Sequence, residues 1–240
     1  MKNLIKLSVL LAFAAILASS CNKSLLVGKG PVVTETRSVE NFSKVNLHMS
    51  ADVNYSYGPT YSVEVSAQEN ILDVLVLERV GDAISIRTQN FANITTHKQI
   101  TVDIISPEFD GVDISGSGNV RVNDSYTAND AEFTISGSGD VVVNDLTAKS
   151  IEMDITGSGN MDINGGTAQS VNARISGSGE IDVDKLEADD VQTKTTGSGN
   201  MNVWATQLLD VKISGSGDVN YLGSPQLNID ISGSGKVRKL

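Results

Sequence analysis

One four-residue phrase, Ser/Thr-Gly-Ser-Gly, constrains this chain more than any other feature. It occurs seven times, at Ser115–Gly118, Ser136–Gly139, Thr156–Gly159, Ser176–Gly179, Thr196–Gly199, Ser214–Gly217 and Ser232–Gly235. The steps between successive phrases are 21, 20, 20, 20, 18 and 18 residues. A fixed period near 20 marks a repeat architecture, in which no unit buries its own apolar face and stacked units do.

The flanks of each phrase alternate apolar and polar residues, which is strand periodicity. Phe133, Ile135, Gly137, Gly139, Val141 and Val143 share one phase, and Ser136, Ser138 and Asp140 the other. Glycine suits a point where backbone bends sharply or approaches other backbone. Stacking the repeats about 4.8 Å apart predicts three inward ladders. The first is Ile114, Ile135, Ile155, Ile175, Thr195, Ile213 and Ile231; the second is Val120, Val141, Met161, Ile181, Met201, Val219 and Val237. The third is Val122, Val143, Ile163, Val183, Val203 and Tyr221, and only Thr195 breaks the apolar rule. The fold expected is all-β, a single β-solenoid.

The first half is less regular. Val45, Leu47, Met49, Ala51, Val53 and Tyr55 alternate in the phase of a later repeat. Setting Asp52-Val53 on Asp140-Val141 makes this a degenerate first coil, with Ala51 on Gly139. Strands are expected from Val63, over Ala83–Thr88 and over Ile100–Ile104, with a loop over Phe91–Gln99. The apolar residues of the stretch Asn70–Arg79 fit neither period cleanly, and a short helix or a buried strand is expected there. No linker separates residues 31–110 from the repeats at 111–240, so the irregular coils are expected to cap one solenoid domain spanning 31–240.

Residues 1–20 read as an export signal: Lys2 and Lys6, an apolar run from Leu7 to Leu17, then Ala18-Ser19-Ser20. Cleavage there leaves Cys21, the only cysteine, as the first residue, with 21–30 as a short linker. That arrangement resembles a bacterial lipoprotein, and it implies lipidation of Cys21 and a place at the outer membrane, on its periplasmic side or at the cell surface. Loss of the leader takes two lysines and no acid, so the net charge moves from −11 to −13. Such a chain is a poor electrostatic partner for nucleic acid.

The chain resembles the GIN-domain family of autotransporter-adhesin heads. The residues that carry the likeness are Phe42–Tyr55, Tyr61-Ser62-Val63-Glu64-Val65, Glu69-Asn70-Ile71-Leu72-Asp73 and the Ile-Ser-Gly-Ser-Gly-Asp/Asn repeats. It spans roughly residues 38–235. The resemblance implies a right-handed parallel β-helix-like fold in a secreted or lipid-anchored protein with an adhesive, non-catalytic role. Similar folds serve pectin-lyase-like enzymes, and fold alone does not settle function.

Candidate chemistry is sparse. His48 and His97 stand in unrelated contexts with no further metal ligand near them in sequence. A serine repeated seven times behaves as a turn residue rather than a nucleophile. No catalytic residue, metal or cofactor is expected. Two rivals stay open: a polysaccharide-active enzyme and a structural spacer. Calcium is disfavoured because the position after each phrase reads Asn119, Asp140, Asn160, Glu180, Asn200, Asp218, Lys236, in which acids alternate with neutral residues. Like charges on adjacent strands repel, and alternation avoids that. The candidate contact residues are Ser138, Ser158, Ser178 and Ser198, and Trp204 on the outward phase of its strand. If the turn stays extended, paired hydroxyls lie about 6.6–7 Å apart along the chain and about 4.8 Å apart between coils. Such a lattice suits a glycan or a matrix or envelope protein, whereas hydroxyls consumed by turn backbone groups would suit only the fold.

Overall fold

The computed structural model describes residues 25–89 and 92–240. The leader and Cys21 lie outside the described residues. In chain order the elements are β1 (Leu25–Val27), β2 (Val32–Arg37), β3 (Lys44–Leu47), β4 (Asp52–Tyr57), β5 (Ser62–Gln68), α1 (Glu69–Leu72), β6 (Leu75–Val80), β7 (Ala83–Thr88), β8 (Asn93–Thr96), β9 (Thr101–Ser106) and β10 (Gly111–Gly116). Then come β11 (Asn119–Gly137), β12 (Asp140–Gly157), β13 (Asn160–Ile163), β14 (Gly166–Gly177), β15 (Glu180–Gly197), β16 (Asn200–Gly215), β17 (Val219–Gly223), β18 (Gln226–Gly233) and β19 (Val237–Lys239).

Each coil has three sides. In one coil, 130–137 forms the first side, the Gly-Ser-Gly corner follows, 140–143 forms the second side and 145–148 the third. Every coil pairs in parallel with the next, Ile135 on Ile155, Val141 on Met161, Ala148 on Ala168. The seven phrases bound about six turns of a β-solenoid. The three expected ladders run inside it, from Ile114, Val120 and Val122, each at most 1% exposed, up to the last coil.

Changes in period are absorbed away from the glycines. The step of 21 shortens to 20 at the corner between second and third sides, where Asn123-Asp124 faces the single Asn144. The step of 18 arises at the same corner, where Asp184, Lys185 and Leu186 have no counterpart between Val203 and Trp204, less one residue regained after Ala205. The Gly-Ser-Gly corner never changes length. Its first glycine has φ between +119° and +141° in all seven copies, and its second packs on the preceding coil, buried in six copies and half-buried at Gly235 in the last.

The degenerate first coil stands in the expected register, Leu47 on Ile114 and Asp52 on Asn119. Its other neighbour comes from later in the chain: β7 lies on β3 and β9 on β4, both parallel. Coil 44–57 is therefore sandwiched between 83–106 and 111 onward. Antiparallel strands then end the stack, β6 on β7 and β5 on β9, with β2 outermost. The ambiguous stretch holds helix α1 and then strand β6, and β6 is not the buried strand expected: only Leu75 in it is buried, and Glu78, Arg79 and Val80 are exposed. Phe42, Tyr55, Phe109, Tyr126 and Phe133 fill the widened core beneath, and the Tyr55 hydroxyl donates to Glu108 O at 2.7 Å.

Two expectations need correction. The stretches read as linker and loop each hold a short strand, and β1 pairs with β8. Runs of three and four residues carry too little periodicity to be recognised, and the side chains that fix them are distant. Asn70 Nδ2 donates to Val27 O at 2.9 Å, and Gln68 Oε1 accepts from Lys98 N at 2.9 Å.

Candidate functional site

The Gly-Ser-Gly corner makes an exposed ridge along the stack. A coil-to-coil backbone bond fixes each apex: Ser138 N donates to Gly116 O, Ser158 N to Gly137 O and Ser178 N to Gly157 O, all at 2.9 Å, and Ser198 N to Gly177 O at 2.8 Å. The side chains of Ser138, Ser158, Ser178 and Ser198 are exposed. The turn is thus satisfied by its own backbone, and the hydroxyls face solvent. The lattice is not flat, because the left-handed glycine between Ser136 and Ser138 turns the chain there. The two hydroxyl columns flank a corner.

Beside the ridge lies the second side, whose outward residues line a groove of about 510 Å³ from Asp52 and Asn54 to Asn160 and Asp162. The column after each phrase is hydrogen-bonded through its side chains from Asp52 to Asn160 and again from Asn200 to Lys236, while Glu180 N and Asn200 N donate to the backbone oxygens of Gly159 and Gly179. Asn119 Nδ2 donates to Asp52 Oδ1 at 2.8 Å, and Asn160 Nδ2 to Asp140 Oδ1 at 2.9 Å. Side-chain oxygens also accept the N–H of the next coil: Asn119 Oδ1 from Asp140, Asp140 Oδ1 from Asn160, Asn200 Oδ1 from Asp218 and Asp218 Oδ1 from Lys236. Asn and Asp both supply that acceptor, and only Asn supplies the donor to the acid beside it. At Asn119 and Asn160 this donor is a second reason for an amide, beside charge spacing.

Asn160→Asp removes the donor and puts three acids in succession, from Asp140 to Glu180. The expected loss is about 0.2–1 kcal/mol per adjacent pair, smaller with added salt, measured by thermal unfolding. The unsubstituted protein should show no calcium-dependent rise in melting temperature beyond that of sodium at equal ionic strength.

One column over, the alternation fails. Asp162 lies on Asp182, and its carboxyl is held above the usual range, first by burial and then by Asp182, Glu180 and Asp140. A carboxyl whose pKa rises on folding disfavours the folded state while ionised. Asp162→Asn should therefore raise the melting temperature at neutral pH. The gain should fade as pH falls through the raised pKa, where Asp162 itself takes a proton; a gain that is the same at acid and neutral pH would contradict this. Asp162 and Asp182 come from stacked coils and sit side by side on one surface.

Trp204 does not join the ridge. It follows the second side, pairs with Glu187 and Leu222, and its Cδ1 lies 3.4 Å from where a Cβ on Gly223 would stand. The histidines are nearer than their sequence contexts imply. His48 and His97 both line one cavity of about 310 Å³, together with Met49 and Ser50. In that coil His48-Met49-Ser50-Ala51 stands where the others carry the phrase, and the break in the repeat was the available signal. Among the described residues no three His, Cys, Asp or Glu side chains gather to hold a metal, and no helix is long and apolar enough to cross a membrane.

The family model described as "Putative auto-transporter adhesin, head GIN domain" matches residues 41–225. No curated protein matches the chain. Among solved structures, a "putative adhesin" from Bacteroides fragilis is 21% identical, with a TM-score of 0.84, over 90% of this chain and 100% of its own. A "putative lipid binding protein" from Parabacteroides distasonis is 23% identical (TM-score 0.76), and a "putative adhesin" from the same species is 24% identical (TM-score 0.74). Each covers 90% of this chain and 100% of its own length. At these identities the likeness speaks for the fold.

Proposed function

Because the chain belongs to the GIN-domain family of auto-transporter adhesin heads, we propose that it is an exported, non-catalytic binding protein of the bacterial envelope. In this reading it is tethered to the outer membrane through lipidated Cys21, and its ridge and groove engage a hydroxyl-rich polymer such as a glycan. The observation that carries the reading is the ridge. Ser138, Ser158, Ser178 and Ser198 are exposed while coil-to-coil backbone bonds satisfy the turn. Hydroxyls that the fold does not use, repeating about every 4.8 Å, are free to meet a repeating ligand. The neighbouring groove adds carboxamide and carboxylate groups from Asn54, Asn119, Asp140 and Asn160. A lipid ligand would need an apolar cavity, and the solenoid interior is filled by side chains.

The test is a glycan and matrix-protein binding screen with a chain beginning at Asn22, which keeps every described element. Changing Ser138, Ser158, Ser178 and Ser198 together to alanine should weaken binding by at least about tenfold, or about 1.4 kcal/mol, and leave the melting temperature unchanged. Unaltered binding, or lost stability in place of lost binding, would return the serines to a purely structural role. For the tether, Cys21→Ser should move the full chain out of the membrane fraction; a variant still processed and still membrane-bound would sink the lipoprotein reading.

A further inference from the structure

The two ends of the stack differ. At the N-terminal end α1 buries Ile71 and Leu72, and the inward residues Ile84, Ile86, Ile100 and Val102 are at most 1% exposed. At the other end β18 pairs with β16 on one side, and its inward residues Leu227, Ile229 and Ile231 are 41, 43 and 40% exposed. Arg238 and Lys239 in β19, with Lys236 just before it, put charge on that strand, which discourages edge pairing there. The eight residues of β18 carry one charge, Asp230. A long, aliphatic, nearly uncharged edge strand is a template for another strand.

We propose that β18 is the interface of an end-to-end homodimer, formed by antiparallel pairing with the same strand of a second copy. Directly opposite residues in an antiparallel pair point to the same face, and a one-residue slip inverts the faces. The two-fold axis must therefore pass through a residue, not between residues. Centred on Asp230 it would set that carboxylate against its own copy. Centred on Asn228 it would leave Ile231 opposite Pro225, outside the strand. Centred on Ile229 it pairs Ile229 with itself, Leu227 with Ile231, Asn228 with Asp230 and Gln226 with Ser232. That register keeps every aliphatic side chain on the core side and places an amide beside each acid. The axis also exchanges the second and third sides, so the two basic β19 strands lie on opposite edges of the contact. Each then sits over a third side whose outermost strand, the end of β17, stops one layer lower. Because the other end of the stack is closed, the pairing ends at two copies rather than running on as a fibre.

The consequence deepens the adhesive reading and rests on it. The first described strand, β1, belongs to the capped end, and eight layer steps of about 4.8 Å carry β18 about 38 Å away from that cap. Chains anchored near residue 21 would present β18 at their free ends. Pairing would join two chains anchored on facing surfaces, which is homophilic adhesion.

The experiment measures the mass of a chain beginning at Asn22 by light scattering over a wide concentration range. A dimer is expected, and Ile229→Asp should raise its dissociation constant at least about a hundredfold by burying charge against charge. Circular dichroism and melting temperature check that this variant folds. As a second variant, Ile229→Cys in the same otherwise thiol-free chain should form a disulfide-linked dimer on oxidation, and Thr127→Cys should not. A monomer at all concentrations without cross-linking, or a dimer indifferent to Ile229→Asp, overturns the pairing. Beads coated through the N-terminus should cluster, and Ile229→Asp should abolish the clustering. Dimers in solution without clustering would overturn the bridging arrangement. A negative glycan screen bears on the ridge alone.

Discussion

Replacing Ile155 with aspartate should remove most of the protein's stability. Ile155 is 1% exposed, in mid-stack, with Ile135 and Ile175 on its two sides. An aspartate there would face apolar neighbours with no cation in the ladder, so it must stay ionised at great cost or take up a proton. The expected loss is about 4 kcal/mol or more, a large share of the roughly 5–15 kcal/mol typical of a folded domain. In a quasi-one-dimensional stack such a defect also uncouples the coils on either side. Urea unfolding should therefore show a much lower midpoint, or two transitions in place of one. Thr195 supplies the opposite test in the same ladder. It is 1% exposed, and its Oγ1 is buried with no hydrogen-bond partner. Thr195→Val replaces an unsatisfied hydroxyl by a methyl group of similar size and should stabilise by about 1 kcal/mol. Small and equal shifts for the two variants would mean that the inward face is assigned backwards.

The legible part of this fold is the part that repeats. The offset between Ile135 and Ile155 states which residues stack, and alternation about them states which face is inside, so ladders and register follow together. Asp52 found its place because the five-residue spacing from Leu47 copies the spacing from Ile114 to Asn119. What did not repeat was hidden. The packing of β7 and β9 beneath β3 and β4 joins segments that share no motif, and β1 and β8 are held by the amides of Gln68 and Asn70, which look like any surface amides. The cavity of His48 and His97 was half legible: the break in the repeat at His48 marked one wall, and nothing in the sequence joined His97 to it. At the ridge, the exposure of the serines was readable from their phase. The bend between the two hydroxyl columns depended on a backbone angle at Gly137 that spacing alone does not state. The failure of charge alternation at Asp162 was written in the sequence, two residues beyond the column that obeys it.

The second large effect concerns the inner glycine column. Gly159 follows the corner apex, and a Cβ built there would lie 2.2 Å from Gly139 O and 2.8 Å from Ile135 Cγ2. The first contact is with backbone of the preceding coil, which is held in register along all three sides. Relief requires the coils to part at the corner. That would break the Ser158 N bond to Gly137 O and the Asn160 contacts to Asp140. Gly159→Ala should therefore cost about 3 kcal/mol or more, at the upper end for overpacking. Gly165 is the matched control. A Cβ there meets the far end of a side chain first, Asp145 Oδ2 at 2.9 Å, and the nearest backbone atom is 3.5 Å away. Its φ is not in the left-handed region, and the Asp145 carboxylate can rotate aside. Gly165→Ala should change stability by no more than about 0.5 kcal/mol. Chemical denaturation of both variants decides the matter. A mild Gly159→Ala would mean that the corners stand further apart than the coil-to-coil bonds require, and the invariant glycine would then need an explanation outside folding, at the ridge it supports.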